Sequence, residues 1–236
     1  MLDVYRVPLD DALLSGSSNL LSPDEIARAD RFRFPVHRER FIAGRAALRV
    51  TLGKYLNLAP DEVHFTYTEN GKPYLEGQNL SFNVSNSDNL CLIALGEFAH
   101  IGVDIEKIVP DKGFEDIAKR FFAPAEVSEL MKLDVASRAS AFYTCWTRKE
   151  AFVKAHGTGL VYGLDKFEVT VDPDEPAKLL VIHNDTHSRN PVAEGDINDA
   201  KSWSMFDLEI DPGYAATLAV HGMVKRVIQI DWDETS

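Results

Sequence analysis

Ile101-Gly102-Val103-Asp104-Ile105-Glu106 alternates apolar or small residues with polar ones. A period of two marks a strand with one buried face. Val103 and Ile105 then look into a core, while Asp104 and Glu106 project together from the other side. Upstream, residues 80–84 and 90–95 have the same strand character and flank a turn of composition Ser-Asn-Ser-Asp-Asn. With 100–105 they form a series of three strands. Further back, residues 2–7 and 63–67 read as strands. Ser22-Pro23-Asp24-Glu25 is a helix start, and Pro35 opens a longer helix to about residue 56. Downstream the pattern changes. Residues 114–122, 125–133 and 137–156 read as helices, the last stopped by Gly157. Strands follow at 166–171, 179–182, 203–210, 215–220 and 227–232, with a polar loop over 184–199. Both halves mix helices with a mostly antiparallel sheet, so the class is α+β. The boundary falls near 97–104, and direct comparison of the halves shows no sequence repeat.

The 236 residues suffice for one large core or two small ones. No apolar run approaches the ~20 residues of a membrane span. Residues 1–8 read as a first strand, not a signal peptide. Cys91 and Cys145 both lie in apolar segments, which predicts two buried thiols in a reducing cytoplasm. His183 and His187 alone have a zinc-like spacing, at the start of the polar stretch, which counts against zinc chemistry.

The net charge of −12 argues against a general nucleic-acid binder. Yet the window 28–54 holds eight Lys/Arg and two acids, net +6, leaving −18 for the remainder. A basic island in an acidic chain suggests one anionic ligand with a defined seat. Arg45 falls within the apolar helical stripe of Phe41, Leu48, Leu52 and Tyr55. A guanidinium there needs a partner, and no carboxylate stands at helical spacing.

Three segments carry chemistry. Asp104 and Glu106 repel each other unless a cation sits between them, and hard oxygen ligands suit Mg²⁺. Alone, such a pair reads better as two solvated acids at a strand end. In Cys145-Trp146-Thr147-Arg148-Lys149-Glu150-Ala151-Phe152-Val153-Lys154, the residues Trp146, Glu150 and Lys154 share one helical ridge. Glu150 offers a third carboxylate and Lys154 a charge one turn on. Alone, these two would be a surface pair worth about 0.3–0.5 kcal/mol. Gly71-Lys72-Pro73, followed by Phe82-Asn83-Val84-Ser85-Asn86-Ser87, is a turn that brings backbone polar groups and one cation to a ligand, or a plain β-turn and hairpin. Together the segments ask for a phosphorylated ligand, a magnesium site and a reactive centre beside a lysine, the needs of phosphoryl transfer.

In this order, Gly-Lys-Pro, Phe-Asn-Val-Ser, Gly-Val-Asp-Ile-Glu and Trp-Thr-Arg-Lys-Glu-Ala-Phe-Val-Lys resemble the Sfp-type 4′-phosphopantetheinyl transferases. The resemblance covers about residues 22–159 and continues loosely beyond. It implies a single chain with two similar α+β halves in a pseudo-two-fold arrangement, residues 1–100 making nucleotide contacts and 101–236 holding the metal and catalytic helix. It implies transfer of phosphopantetheine from coenzyme A to a serine of an apo-acyl or peptidyl carrier protein, with Mg²⁺, in a cytoplasmic monomer that binds neither nucleic acid nor membrane. Asp104, Glu106 and Glu150 would bind Mg²⁺, Glu150 would take the serine proton, and Lys154 would assist the leaving group. Gly71, Lys72 and Pro73 would hold the adenine end. Ser85 and the basic window, especially Arg28, Arg40 and Arg45, would meet the 3′-phosphate. One departure stands out: Asn86 replaces a His usual in the family, which predicts a weaker or rearranged phosphate contact there. For docking the carrier, Phe121, Phe122 and the helix around 126–133 are candidates, with at least one Phe in the core. The alternatives are another Mg²⁺-dependent phosphotransferase or nuclease, and a non-catalytic coenzyme A or carrier-protein binding module; the last would not need three carboxylates and a lysine so placed.

Overall fold

The structure, a computed structural model, describes residues 1–9, 17–110, 113–183 and 196–233. In the first part, β1 (Leu2–Pro8) precedes α1 (Pro23–Ala29) and the 22-residue α2 (Pro35–Leu56). A two-residue hairpin, β2 (Thr66–Tyr67) and β3 (Pro73–Tyr74), is followed by β4 (Ser81–Ser87) and β5 (Leu90–Gly96). Pro35 starts α2 because its missing N–H costs nothing there, and Asn57 ends it in the left-handed region at φ 55°. The second part runs β6 (Ile101–Lys107), α3 (Phe114–Phe121), α4 (Pro124–Lys132) and the 22-residue α5 (Val135–His156). Then come β7 (Phe167–Val169), β8 (Leu179–Ile182), β9 (Trp203–Asp207), β10 (Tyr214–His221) and β11 (Val227–Asp231).

The α+β class holds, with one long helix laid on one mostly antiparallel sheet in each part. Three details differ from the sequence expectation. The strand at 100–105 does not extend the series before it: β6 pairs with β10, in a sheet ordered β6-β10-β9. Also, β11 returns from the end of the chain to lie parallel to β1, completing the sheet β11-β1-β5-β4. Strand character is local, but pairing depends on which edges meet. The expected strand at 63–67 shrinks to Thr66–Tyr67 after a 3₁₀ turn at Pro60–Glu62. Most of the 184–199 loop, with His187, lies outside the described residues.

Alternation along the strands builds the layers. Cys91, Ile93 and Leu95 of β5 pack with Ala43, Ala47, Leu48 and Leu52 of α2. Leu90, Leu92 and Ala94 face the other way, into a core shared with Val103 and Ile105 of β6 and Leu218 of β10. This middle core joins the two sheets. On the far side of β6, Gly102 lets α5 press onto the strand: a Cβ there would stand 2.1 Å from Ala151 O and 2.4 Å from Ala155 N. The free thiols Cys91 and Cys145 are both buried.

Candidate active site

Where the two sheets meet edge to edge, β4 and β6 are joined by side chains. Asn83 Oδ1 accepts the Val103 N–H at 2.8 Å, and Ser85 Oγ donates to Asp104 Oδ1 at 2.8 Å. Ser87 Oγ donates to Glu106 Oε2 at 2.9 Å and accepts the Lys107 N–H at 3.0 Å. Asn83, Ser85 and Ser87 therefore bridge the seam.

Asp104 and Glu106 face α5, as expected from their spacing. Lys154 Nζ lies 2.6 Å from Asp104 Oδ1 and 2.8 Å from Ser85 Oγ. Lys154 thus pairs with Asp104 across the seam and not with Glu150 as a surface pair. Asp104 is 3% exposed, and its Oδ2 is buried with no hydrogen-bond partner. Burial raises the pKa of Glu150, and the neighbouring charges of Asp104 and Glu106 add to the rise while Lys154 offsets it. Three carboxylates that repel one another, one with a bare buried oxygen, fit a hard divalent cation in kind. Among the described residues, no three His, Cys, Asp or Glu side chains are placed closely enough to hold a metal as they stand.

Two residues between Trp146 and Glu150 aim this ridge, and the spacing of the helix alone assigns them no role. Arg148 is fully buried, donating to Asp207 Oδ2 at 2.5 Å and to Thr170 O at 2.8 Å. Lys149 is fully buried too, on both oxygens of Glu126 and on Phe167 O at 2.7 Å. Held in this way, these buried cations fix the rotation of α5, so that Glu150 and Lys154 face the seam.

Glu150 and Lys154 form the wall of a cavity of about 290 Å³ between the Asn70–Pro73 turn and the end of α5. Gly71 makes that turn possible at φ +77°. Lys72 Nζ points inward, donating to Ile101 O at 3.1 Å and Lys154 O at 2.6 Å. Burial, with the nearby Lys154 charge, lowers its pKa to about 8. Gly71, Pro73 and Asn83 are shared with a second cavity of about 380 Å³, into which Arg28, Arg40, Arg45 and Asn86 open. The basic window and the Glu150–Lys154 wall therefore adjoin through Gly71, Pro73 and Asn83. Ser85 lies outside the basic cavity, since it points across the seam to Asp104.

Arg45 is not without a partner, contrary to the helical-spacing argument. Its Nε lies 3.1 Å from Glu25 Oε1 of α1, and Arg49 Nε holds the other oxygen at 2.7 Å. The Arg45 contact is an ion pair without hydrogen-bond geometry, since Oε1 accepts no hydrogen bond. Burial lowers the pKa of Arg45, and Glu25 opposes that. Arg40 pairs with Asp88 at 2.8 Å and also borders a third cavity, of about 540 Å³, walled by Glu106, Phe114, Phe142 and Trp146. Of the docking candidates, Phe122 is core at 3% exposure and Phe121 is 38% exposed.

Comparison with known proteins gives a consistent picture. Residues 100–218 match the model of the 4′-phosphopantetheinyl transferase superfamily, and residues 9–97 match that of the 4′-phosphopantetheinyl transferase N-terminal region. The chain is 39% identical to the 4′-phosphopantetheinyl transferase HetI of a Nostoc species over 93% of this chain and 87% of the relative. It is 30% identical to the 4′-phosphopantetheinyl transferase Sfp of Bacillus subtilis over 93% of each. A mouse protein, L-aminoadipate-semialdehyde dehydrogenase-phosphopantetheinyl transferase, is 27% identical over 85% of this chain and 67% of its own length.

Proposed function

This chain belongs to the 4′-phosphopantetheinyl transferase superfamily, and from that premise we propose how its own residues divide the work. The protein transfers the 4′-phosphopantetheine of coenzyme A to a serine hydroxyl of an apo-carrier protein, releasing adenosine 3′,5′-bisphosphate. The observation that carries the residue assignment is the wall shared by Glu150 and Lys154 in a cavity that adjoins one lined by Arg28, Arg40 and Arg45.

In this reading, residues 1–100 bind the nucleotide and 101–236 carry the chemistry. Arg28, Arg40 and Arg45 neutralise the 3′-phosphate and its neighbours, with Asn86 as an uncharged donor beside them. The Gly71–Pro73 turn closes over the adenine end, and Lys72 fixes it to β6 and α5. Asp104, Glu106 and Glu150 would hold Mg²⁺, which would supply charge compensation for the diphosphate. Glu150, with its raised pKa, accepts the proton of the carrier serine, whose oxygen attacks the β-phosphate. Lys154 stands at the same wall and supplies positive charge, or a proton, to the departing bisphosphate. Ser85 positions Lys154 and Asp104 and offers its hydroxyl to the phosphate end beside them.

Two buried free thiols support a cytoplasmic setting, and we take the protein to act as a monomer that binds neither nucleic acid nor membrane. No helix among the described residues is long and apolar enough to cross a membrane. The test mixes the protein with Mg²⁺, coenzyme A and apo-carriers of fatty-acid, polyketide and nonribosomal-peptide type, and reads intact carrier mass with and without a chelator. A chelator-sensitive gain of one phosphopantetheine per carrier is expected. Coenzyme A binding with no gain on any carrier would turn the reading toward a binding module.

A further inference from the structure

Three histidines stand behind the cavity that holds Glu150 and Lys154, and nothing in the transfer reaction uses them. His100 precedes β6, His156 ends α5 and His221 ends β10. The His100 and His221 rings lie 5.7 Å apart and nearly perpendicular. Trp203 packs against all three, with ring centroids 5.1 Å from His221 and 6.4 Å from each of the others.

Each histidine is tied to the cavity wall. His100 Nδ1 lies 3.3 Å from Ala155 O, beside Lys154, and the peptide after His100 offers the Ile101 carbonyl that holds Lys72. His156 Nδ1 lies 3.1 Å from Thr158 Oγ1, inside the turn whose Gly157 and Gly159 line the cavity. The His221 N–H donates to His100 O at 3.1 Å. Asn70, on the opposite lip, donates to Gly157 O at 3.0 Å.

Among the described residues, no carboxylate lies against the cluster to balance a proton. The groups around it are Lys72 from the β2–β3 turn, Tyr162 after α5, Phe152 of α5, Trp203 of β9 and the three rings themselves. His156 Nε2 and His221 Nε2 are buried without a hydrogen-bond partner. A proton on His156 Nε2 would be a buried donor with no acceptor. Burial, and then the neighbouring histidines, lower the pKa of His156; for His100, burial with His221 and Lys72 outweighs its bond to Ala155.

We propose that His100 and His156 are positioning residues for the coenzyme cavity, a brace that holds its wall in binding geometry only while their two rings are uncharged. This rests on the reading of that cavity as the coenzyme site. With neutral rings, the bonds to Ala155 O and Thr158 Oγ1 keep the end of α5, Lys72 and the Gly157–Gly159 turn in register. Protonation sets like charges side by side, and the rings escape to water by giving up those bonds. Coenzyme A affinity then falls in mildly acidic solution.

The test is calorimetric titration of coenzyme A, with Mg²⁺, into the full chain from pH 5.5 to 8.0. The partner variant His100→Asn/His156→Asn keeps short side-chain donors and cannot titrate; His156→Phe, which keeps the ring contacts, is a second variant should the first not fold. Titration of the coenzyme's own phosphate is common to all proteins and cancels. We expect the parent to lose about fivefold more affinity than the variant between pH 7.5 and 5.5. Parallel profiles would overturn the brace, as would loss of parent far-ultraviolet dichroism before loss of binding. Asn70→Trp, which fills the cavity mouth, separates the premises: if it leaves binding intact at pH 7.5, the cavity is not the coenzyme site; if it abolishes binding while the histidine profiles stay parallel, only the brace fails.

Discussion

Lys154 Nζ sits 2.6 Å from Asp104 Oδ1 and 2.8 Å from Ser85 Oγ, so one ammonium pins α5 to β6 and β4. It also balances a carboxylate that is almost wholly buried. Lys154→Met should therefore act on the reaction more than on coenzyme binding. Turnover is expected to fall about 10²-fold, with the coenzyme A Kd moving less than about fivefold. Steady-state kinetics with equilibrium binding checks this, and a variant that lost binding alone would recast Lys154 as a docking charge.

Glu150 offers a readout independent of activity. Its folded pKa is raised by burial first and by Asp104 next. A carboxyl with a raised folded pKa contributes stability below its unfolded pKa and loses it as pH rises through the folded value. At neutral pH, without a divalent cation, ionised Glu150 therefore costs stability. Glu150→Gln should melt higher than the parent in chelator at pH 7.5, with the gap closing toward pH 4. Mg²⁺ should raise the parent's Tm and barely move the variant's, while turnover of the variant drops roughly 10²-fold or more. Equal stabilisation of both by Mg²⁺ would remove Glu150 from the metal site.

Lys72 gives a second pH signature at the alkaline end. Its pKa is lowered to about 8 from 10.5, chiefly by burial. Between these values the unfolded chain holds the proton and the folded chain does not, so stability at this site rises with pH across that window. Urea unfolding at pH 7.5 and 9.5 should show the parent gaining up to about 2 kcal/mol relative to Lys72→Met. A parallel pH response in the two proteins would contradict the buried placement of this ammonium.

Gly102 and Gly71 test two different reasons for glycine. A Cβ at Gly102 would strike the backbone of α5 at Ala151 and Ala155, which cannot yield without lifting the helix. Gly102→Ala should cost about 3 kcal/mol or more, or prevent folding. At Gly71 a Cβ would meet nothing within 4 Å, but the residue sits at φ +77°. Gly71→Ala should cost only about 1 kcal/mol. Denaturant midpoints for the pair check the ranking.

The side chains of the candidate site were legible because their placement is local. Period two sets Asp104 and Glu106 on one face of a strand, and helical spacing sets Glu150 and Lys154 on one ridge, whatever surrounds them. The same regularities gave the α+β class and the turn at Gly71, and the expectation that at least one of Phe121 and Phe122 is core, but not which. What they could not give was partnership. Arg45 has no carboxylate at helical spacing on its own helix, yet Glu25 reaches it from another. The strand at 101–107 was visible, but not that it would leave the preceding sheet, pair with β10 and meet β4 through Asn83, Ser85 and Ser87. Nor could spacing bring His100, His156 and His221 together behind one cavity. Backbone geometry repeats over a few residues and so is written in the sequence; which edges, charges and rings meet is fixed only when the whole chain packs, because each contact depends on every element that could compete for it.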